Sequence, residues 1–169
     1  VIHGVRTFVP ILLEQNADCH IVNTASMAGL VSGPFATIYN VTKHAVVTLS
    51  ESLHQELQLQ TPRVKVSVLC PGFVKTKILD SDRNRPASLQ ATETPGEEAL
   101  QSMREAFRVF IDQGMPPSEV AAKVHDAILN DRFYIFPHPE FLAPFKTRTE
   151  DILQQRNPTP VQFDPSKIS

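Results

Sequence analysis

Two short runs of β-prone apolar residues, Cys19-His20-Ile21-Val22-Asn23-Thr24 and Val64-Lys65-Val66-Ser67-Val68-Leu69-Cys70, constrain the fold more than any other feature. Each has the length of one buried strand, follows a stretch of helical periodicity and stops abruptly, the first in Ala25-Ser26 and the second in Pro71-Gly72. Before the first, Val1, Val5, Phe8, Val9 and Leu12 recur at helical spacing over residues 1–15, with Pro10 expected to kink the helix and Asn16-Ala17-Asp18 to turn out of it. Between the two runs, Tyr39, Val46, Leu49, Leu53 and Leu57 set a long helix from about Thr37 to just before Thr61-Pro62. Helix, strand, helix, strand is the order of an α/β layer structure with a mostly parallel sheet, because parallel strands need long crossovers and helices supply them.

The rest of the chain is less regular. Residues 75–99 are polar without an apolar period, as in a lid or binding loop, and Glu97-Glu98 reads as a solvated helix start. Met103, Ala106, Phe107 and Phe110 predict a helix over 100–111. A further helix is expected after Pro116-Pro117, capped by Ser118, with Val120, Ala121, Val124, Ala127, Ile128 and Leu129 on its apolar face. A last strand is expected over 132–136, with Phe133, Tyr134 and Phe136 in its core. Residues 140–169, with Pro158, Pro160 and Pro165, read as an extended, exposed tail carrying a short helix near 149–155. The organisation is thus one domain over 1–139, an insertion over 75–115 and a Pro-rich tail over 140–169.

Composition narrows the function by exclusion. A net charge of -2 offers no basic field for nucleic acid and no polybasic stretch for an anionic membrane. The apolar runs fall far short of the roughly 18 residues needed to span a bilayer, so the chain reads as soluble, with cytoplasmic the expected compartment. Cys19 and Cys70 are too few and too far apart for a disulfide framework and read as buried, reduced thiols. The six His residues show no metal-ligand spacing, so no metal is expected and surface or core roles are assigned to all of them. The chain begins at Val1 inside an apolar pattern, from which an earlier amino terminus is expected.

In an open parallel sheet, ligands bind at the carboxyl ends of the strands. Ser26 stands at one such end, and Pro71-Gly72 at the other. Tyr39 and Lys43 are four apart near the start of the long helix and so share a face. A phenol, with an ordinary pKa near 10, becomes a useful acid/base only where its anion is favoured, and a neighbouring ammonium does that by charge. Tyr39 is therefore a candidate acid/base with Lys43 as its tuner, and the Ser26 hydroxyl a candidate donor to a substrate oxygen. The plainer alternatives are a surface Tyr–Lys pair and a capping Ser.

The strand Ile21-Val22-Asn23-Thr24-Ala25-Ser26 followed by Met27-Ala28-Gly29, Tyr39 thirteen residues beyond Ser26, Lys43 four further on, and the later Pro71-Gly72-Phe73-Val74-Lys75-Thr76 together resemble the short-chain dehydrogenase/reductase family over residues 1 to about 136. The resemblance implies a Rossmann-like, doubly wound parallel sheet, incomplete here, with only its carboxyl-terminal strands and helices. It implies Tyr39 as acid/base, Lys43 as pKa tuner and holder of the nicotinamide ribose, Ser26 as the group polarising a carbonyl, and Tyr39, Lys43, Pro71, Gly72, Val74 and Thr76 as cofactor-binding residues. NAD or NADP is the implied cofactor, an alcohol or ketone the substrate, and a homodimer or homotetramer, built on the first two long helices, the full-length assembly. The family's Gly-rich turn, its acidic or basic selector and its Asn-Asn-Ala-Gly segment do not occur in the 169 residues, and an unpaired first strand is expected in consequence. Two other readings are carried: a truncated, non-catalytic domain that acts through helix-mediated association, and epimerisation or dehydration of a nucleotide sugar by the same Tyr and Lys.

Overall fold

The computed structural model describes residues 1–89 and 97–161, with the backbone alone at 97–103 and 106. By contacts the chain forms two units, one made of Val1–Gly72 with the described residues from Ala121 onward, the other of Phe73–Val120.

The first unit is built on a three-stranded parallel sheet in the order β1-β2-β3, with β1 Cys19–Thr24, β2 Val64–Leu69 and β3 Tyr134–Ile135. β1 and β2 pair in full register from Cys19 opposite Val64 to Thr24 opposite Leu69. β2 is central, and Val64, Val66, Val68 and Leu69 are all buried, each such side chain stabilising the fold by about 1.5–3 kcal/mol. β1 is an edge strand among the described residues.

Helix α1 (Ile2–Gln15) closes on Asn16, whose φ of 47° is the left-handed conformation Asn tolerates. It runs on through Pro10, an exposed position where the carbonyl one turn back can turn to water. Val5, Val9, Leu12 and Leu13 lay one face of α1 on Leu53, Leu57, Val64 and Val66. Helix α2 (Thr37–Gln60) serves two clusters at once. Its far half, Leu53 and Leu57, joins the α1 cluster, and its near half, Val46 and Val47, packs with Ala25, Met27, Leu30, Val68 and Cys70. Two buried polar side chains between the layers satisfy each other: Asn23 Nδ2 donates to Ser50 Oγ at 3.0 Å and Ser50 Oγ to the Val46 carbonyl at 2.7 Å, which ties the end of β1 to α2.

In the second unit, the Met115 amide donates to the Phe73 carbonyl and the Lys75 amide to the Met115 carbonyl, forming a short parallel bridge. Helix α3 (Glu97–Asp112) brings Phe107 and Phe110 to Phe73, with Phe110 stacked at 5.2 Å. Arg108 pairs with Asp80, and Arg104 with Asp82. The part of the expected lid at 90–96 lies outside the described residues, as does Pro165 of the tail.

Several expectations need correction. Helix α4 (Pro117–Leu129) starts on Pro117, so Ser118 lies inside its first turn. The last strand shrinks to two residues, and Tyr134 is half-exposed, its hydroxyl donating to Glu51 at 2.7 Å. Cys19 is only partly buried, whereas Cys70 is fully so. Most of all, the segment read as an exposed tail with a short helix near 149–155 forms a longer helix, α5 (Leu142–Leu153), and Phe141, Leu142 and Phe145 pack on the Ala25–Cys70 cluster. Pro144 does not prevent this, because in the first turn its missing N–H has no intrahelical partner to lose.

Candidate active site

Because β1 and β2 are parallel and in register, both chains leave the sheet at one edge, and they stay bonded beyond it. The Ala25 amide donates to the Leu69 carbonyl at 2.8 Å and the Met27 amide to the Pro71 carbonyl at 3.0 Å. Ser26 sits in this corner. Its Oγ accepts from the Ala28 amide at 3.1 Å, capping the 3-10 turn Met27–Gly29, and lies 3.5 Å from the Pro71 carbonyl at the limit of a hydrogen bond. The capping role is real, and it leaves a lone pair on a half-buried hydroxyl oxygen.

Gly29 sets the distance from this corner to α2. A Cβ there would stand 2.7 Å from the Lys43 carbonyl and 2.9 Å from Val47 Cγ2, so only a residue without a side chain lets the turn rest on the Lys43 coil of the helix. Lys43 Nζ reaches back to the Thr24 carbonyl at 3.4 Å and lies 5.6 Å from the centre of the Tyr39 ring, within cation–π range. Partial burial lowers the Lys43 pKa from its ordinary value. Tyr39 is 42% exposed, and among the described residues its hydroxyl makes no hydrogen bond. The first turn of α2 is tied down separately: Asn40 Nδ2 donates to the Gly33 carbonyl at 2.9 Å, and His44 Nδ1 donates to the Asn40 carbonyl at 2.9 Å. Just upstream, Phe35 is 83% exposed with a φ of 61°, a strained conformation for an aromatic residue.

Under the corner lies Cys70, whose thiol is pushed up to about 12, chiefly by burial, although the Ser26 amide hydrogen-bonds it. It is a neutral packing group at physiological pH, not a nucleophile.

Of the residues singled out by sequence, Ser26, Tyr39, Lys43, Pro71 and Gly72 share the first unit; Ser26 contacts Pro71, and Lys43 contacts Tyr39 and the Thr24 carbonyl. Val74 and Thr76 belong to the second unit, where Val74 bridges Met115. Sequence reasoning missed His138. It is 5% exposed, and its Nδ1 accepts the Gly72 amide at 3.1 Å. It also missed Phe141, whose ring occupies the space beside Gly72. No local spacing signals either contact; the Pro137-His138-Pro139 run after an aromatic strand is the one hint. No cluster of His, Cys, Asp or Glu among the described residues could hold a metal ion, and no described helix is long and apolar enough to cross a membrane.

This arrangement defines a Rossmann-like α/β protein, partial in extent, with a polar corner at the carboxyl ends of its parallel strands. The chain belongs to the short-chain dehydrogenase family, whose sequence profile matches residues 1–87. It is 30% identical over 93% of its length to a CLA biosynthesis dehydrogenase/reductase of Lactiplantibacillus plantarum, and 33% identical over 86% to a 1-deoxy-11-beta-hydroxypentalenate dehydrogenase of Streptomyces arenae. It covers 56% and 44% of those two proteins, so the chain spans about half the length of the curated relatives it matches. Among solved structures, a short chain dehydrogenase/reductase from Burkholderia phymatum in complex with NAD superposes with a TM-score of 0.89 at 46% identity, over 96% of this chain and 58% of that one.

Proposed function

We propose that the chain carries the reaction corner of an oxidoreductase that transfers a hydride between NAD or NADP and an alcohol or ketone carbon. The observation that supports this reading is the Lys43 ammonium set between the Tyr39 ring and the carbonyl of Thr24, at the end of the strand that leads to Ser26, in a protein 46% identical to one solved with NAD. The donor set fits the nicotinamide-ribose end of such a cofactor. Lys43 Nζ has three donors and uses one, weakly, on Thr24, which leaves two for a ribose diol. The cofactor, when bound, supplies or accepts the hydride. Tyr39 gives a proton to, or takes one from, the substrate oxygen, with the Lys43 ammonium beside its ring. Ser26 donates a hydrogen bond to the same oxygen by rotating its O–H away from the Pro71 carbonyl. Pro71 and Gly72 shape the edge where the nicotinamide lies. Val74, Thr76 and the 75–115 insertion are assigned to the carboxamide and to the substrate cover.

Tyr39→Phe in the full-length protein tests the reading. The change should lower kcat by about 10²–10⁴-fold and leave the melting temperature in place; unchanged turnover refutes it.

For the 169 residues alone, a specific observation favours the association reading. Ile2, Phe8 and Ile11 of α1 and Ile38 and Val41 of α2 are exposed, as suits helices that pair with another copy. Tight binding of NADH or NADPH by the isolated chain, with a monomeric sedimentation profile, would exclude it.

A further inference from the structure

The Pro71–Gly72 exit is gripped from two sides. On one side the β1 corner holds the Pro71 carbonyl through the Met27 amide. On the other, His138 accepts the Gly72 amide. That bond requires Nδ1 to carry a lone pair, which in a neutral imidazole places the proton on Nε2. Phe141 closes the same side, for a Cβ on Gly72 would fall 2.6 Å from Phe141 Cε2, 2.7 Å from Cδ2 and 3.1 Å from His138 Cγ. Phe141, Leu142 and Phe145 are in turn seated on the cluster of Ala25, Met27, Leu30 and Cys70. The segment from His138 to Phe145 thus reaches back from β3 and buttresses both strand exits.

The consequence concerns the direction of one peptide. A glycine after a strand end can take many orientations, and a free amide at that edge would be available to a ligand. Here the Gly72 N–H is committed to a buried ring, so the plane of the Pro71–Gly72 peptide is fixed before any ligand arrives. We infer that His138 is a positioning residue for the nicotinamide end of the binding edge, acting through the Gly72 amide. The inference rests on the oxidoreductase reading above.

The test uses the full-length protein, with NAD(P)H and ADP-ribose as paired probes, since ADP-ribose lacks the nicotinamide. His138→Leu keeps bulk and removes the acceptor; His138→Asn can place its Oδ1 where Nδ1 stood. The expected result is NAD(P)H binding weakened about tenfold in His138→Leu, in line with the loss of one buried acceptor, ADP-ribose binding unchanged, and most of the loss recovered in His138→Asn. Equal weakening of both probes, no weakening of either, or an Asn variant as poor as the Leu variant would overturn the proposal. Should His138→Leu fail to fold, His138→Gln serves instead, a polar side chain whose Oε1 falls nearer the place of Nε2 than of Nδ1; the same selective loss is expected. A wild-type protein that binds no NAD(P)H, or a Tyr39→Phe variant with full turnover, would sink the oxidoreductase reading itself, a failure visible without any His138 variant.

Discussion

The two strand exits that meet at the site are held in opposite ways. At the β1 exit and the start of α2, the chemistry-bearing groups are loosely engaged: Lys43 has one 3.4 Å contact, and Ser26 caps a short turn. Their partners lie within about one crossover of the chain. At the β2 exit, Gly72 bears no chemistry of its own, yet it is closed in by His138 and Phe141 from 66 or more positions away. The first region keeps donor capacity in reserve for a ligand, and the second has none to spare. Substitution should therefore strike function in the first and shape in the second.

The largest expected effect breaks the comparison if it goes the wrong way. Lys43→Met keeps the aliphatic stem and removes the ammonium, so kcat should fall by about 10²-fold or more, while unfolding free energy changes by no more than about 0.5 kcal/mol, the range of a surface substitution. Steady-state kinetics beside denaturant titration would measure both. A loss of stability as large as the loss of activity would mean that Lys43 is structural and that the two exits are alike.

The next effect belongs to the second region. Gly72→Ala drives a methyl into the Phe141 ring, and overpacking of this sort costs about 1–3 kcal/mol. Phe141→Ala should destabilise too, by emptying the same place. Together the two changes should cost less than their sum, by roughly 0.5–3 kcal/mol of coupling, because each makes room for the other. Strict additivity in a double-mutant cycle would show that the ring does not press on Gly72.

The same contrast explains what could be read from the sequence. β1, α2 and β2 were legible nearly to the residue because their signals are local: a β-prone run, a 3.6-residue period, a Pro-Gly stop. Ser26, Tyr39 and Lys43 were legible as candidates for the same reason, since a strand end and an i, i+4 pair are local signals too. Of α5 only the end was legible, as a short helix near 149–155, because the tail's prolines suggested an extended, exposed chain around it. What folds it is the burial of Phe141, Leu142 and Phe145 under strand exits more than 60 residues earlier, which no period within the tail encodes. β3 is short for a related reason. Ser67 accepts from His20 and donates to the Arg132 carbonyl, and the Arg132 amide returns to Ala127 of α4, so the backbone joins the sheet only from the Phe133 carbonyl, which accepts the Val68 amide at 2.8 Å. His138 looked like one surface or core histidine among six until the fold set it against Gly72.

The smallest expected effect asks how firmly the buttress is anchored at its far end. Asp151, near the end of α5, is 4% exposed; it accepts the Thr159 amide at 2.9 Å and pairs with Arg156 at 3.0 Å. The Thr159 amide first, with Arg156 a lesser contributor, holds its carboxyl below the ordinary carboxylate value. A folded-state pKa that is lower than the unfolded one stabilises the fold fully above the unfolded value, near 3.9, and that contribution disappears as pH falls through the folded value. Asp151→Asn lacks the charge at every pH. Its melting temperature should therefore lie slightly below that of the wild type at pH 7, and the two curves should converge as the pH falls through the folded-state value. A gap that persists unchanged into acid would assign the role of Asp151 to its shape and not to its charge. If the buttress is as tightly held as the comparison requires, the same small difference should appear in hydrogen exchange at the Gly72 amide, because loosening α5 loosens the ring that amide is bonded to.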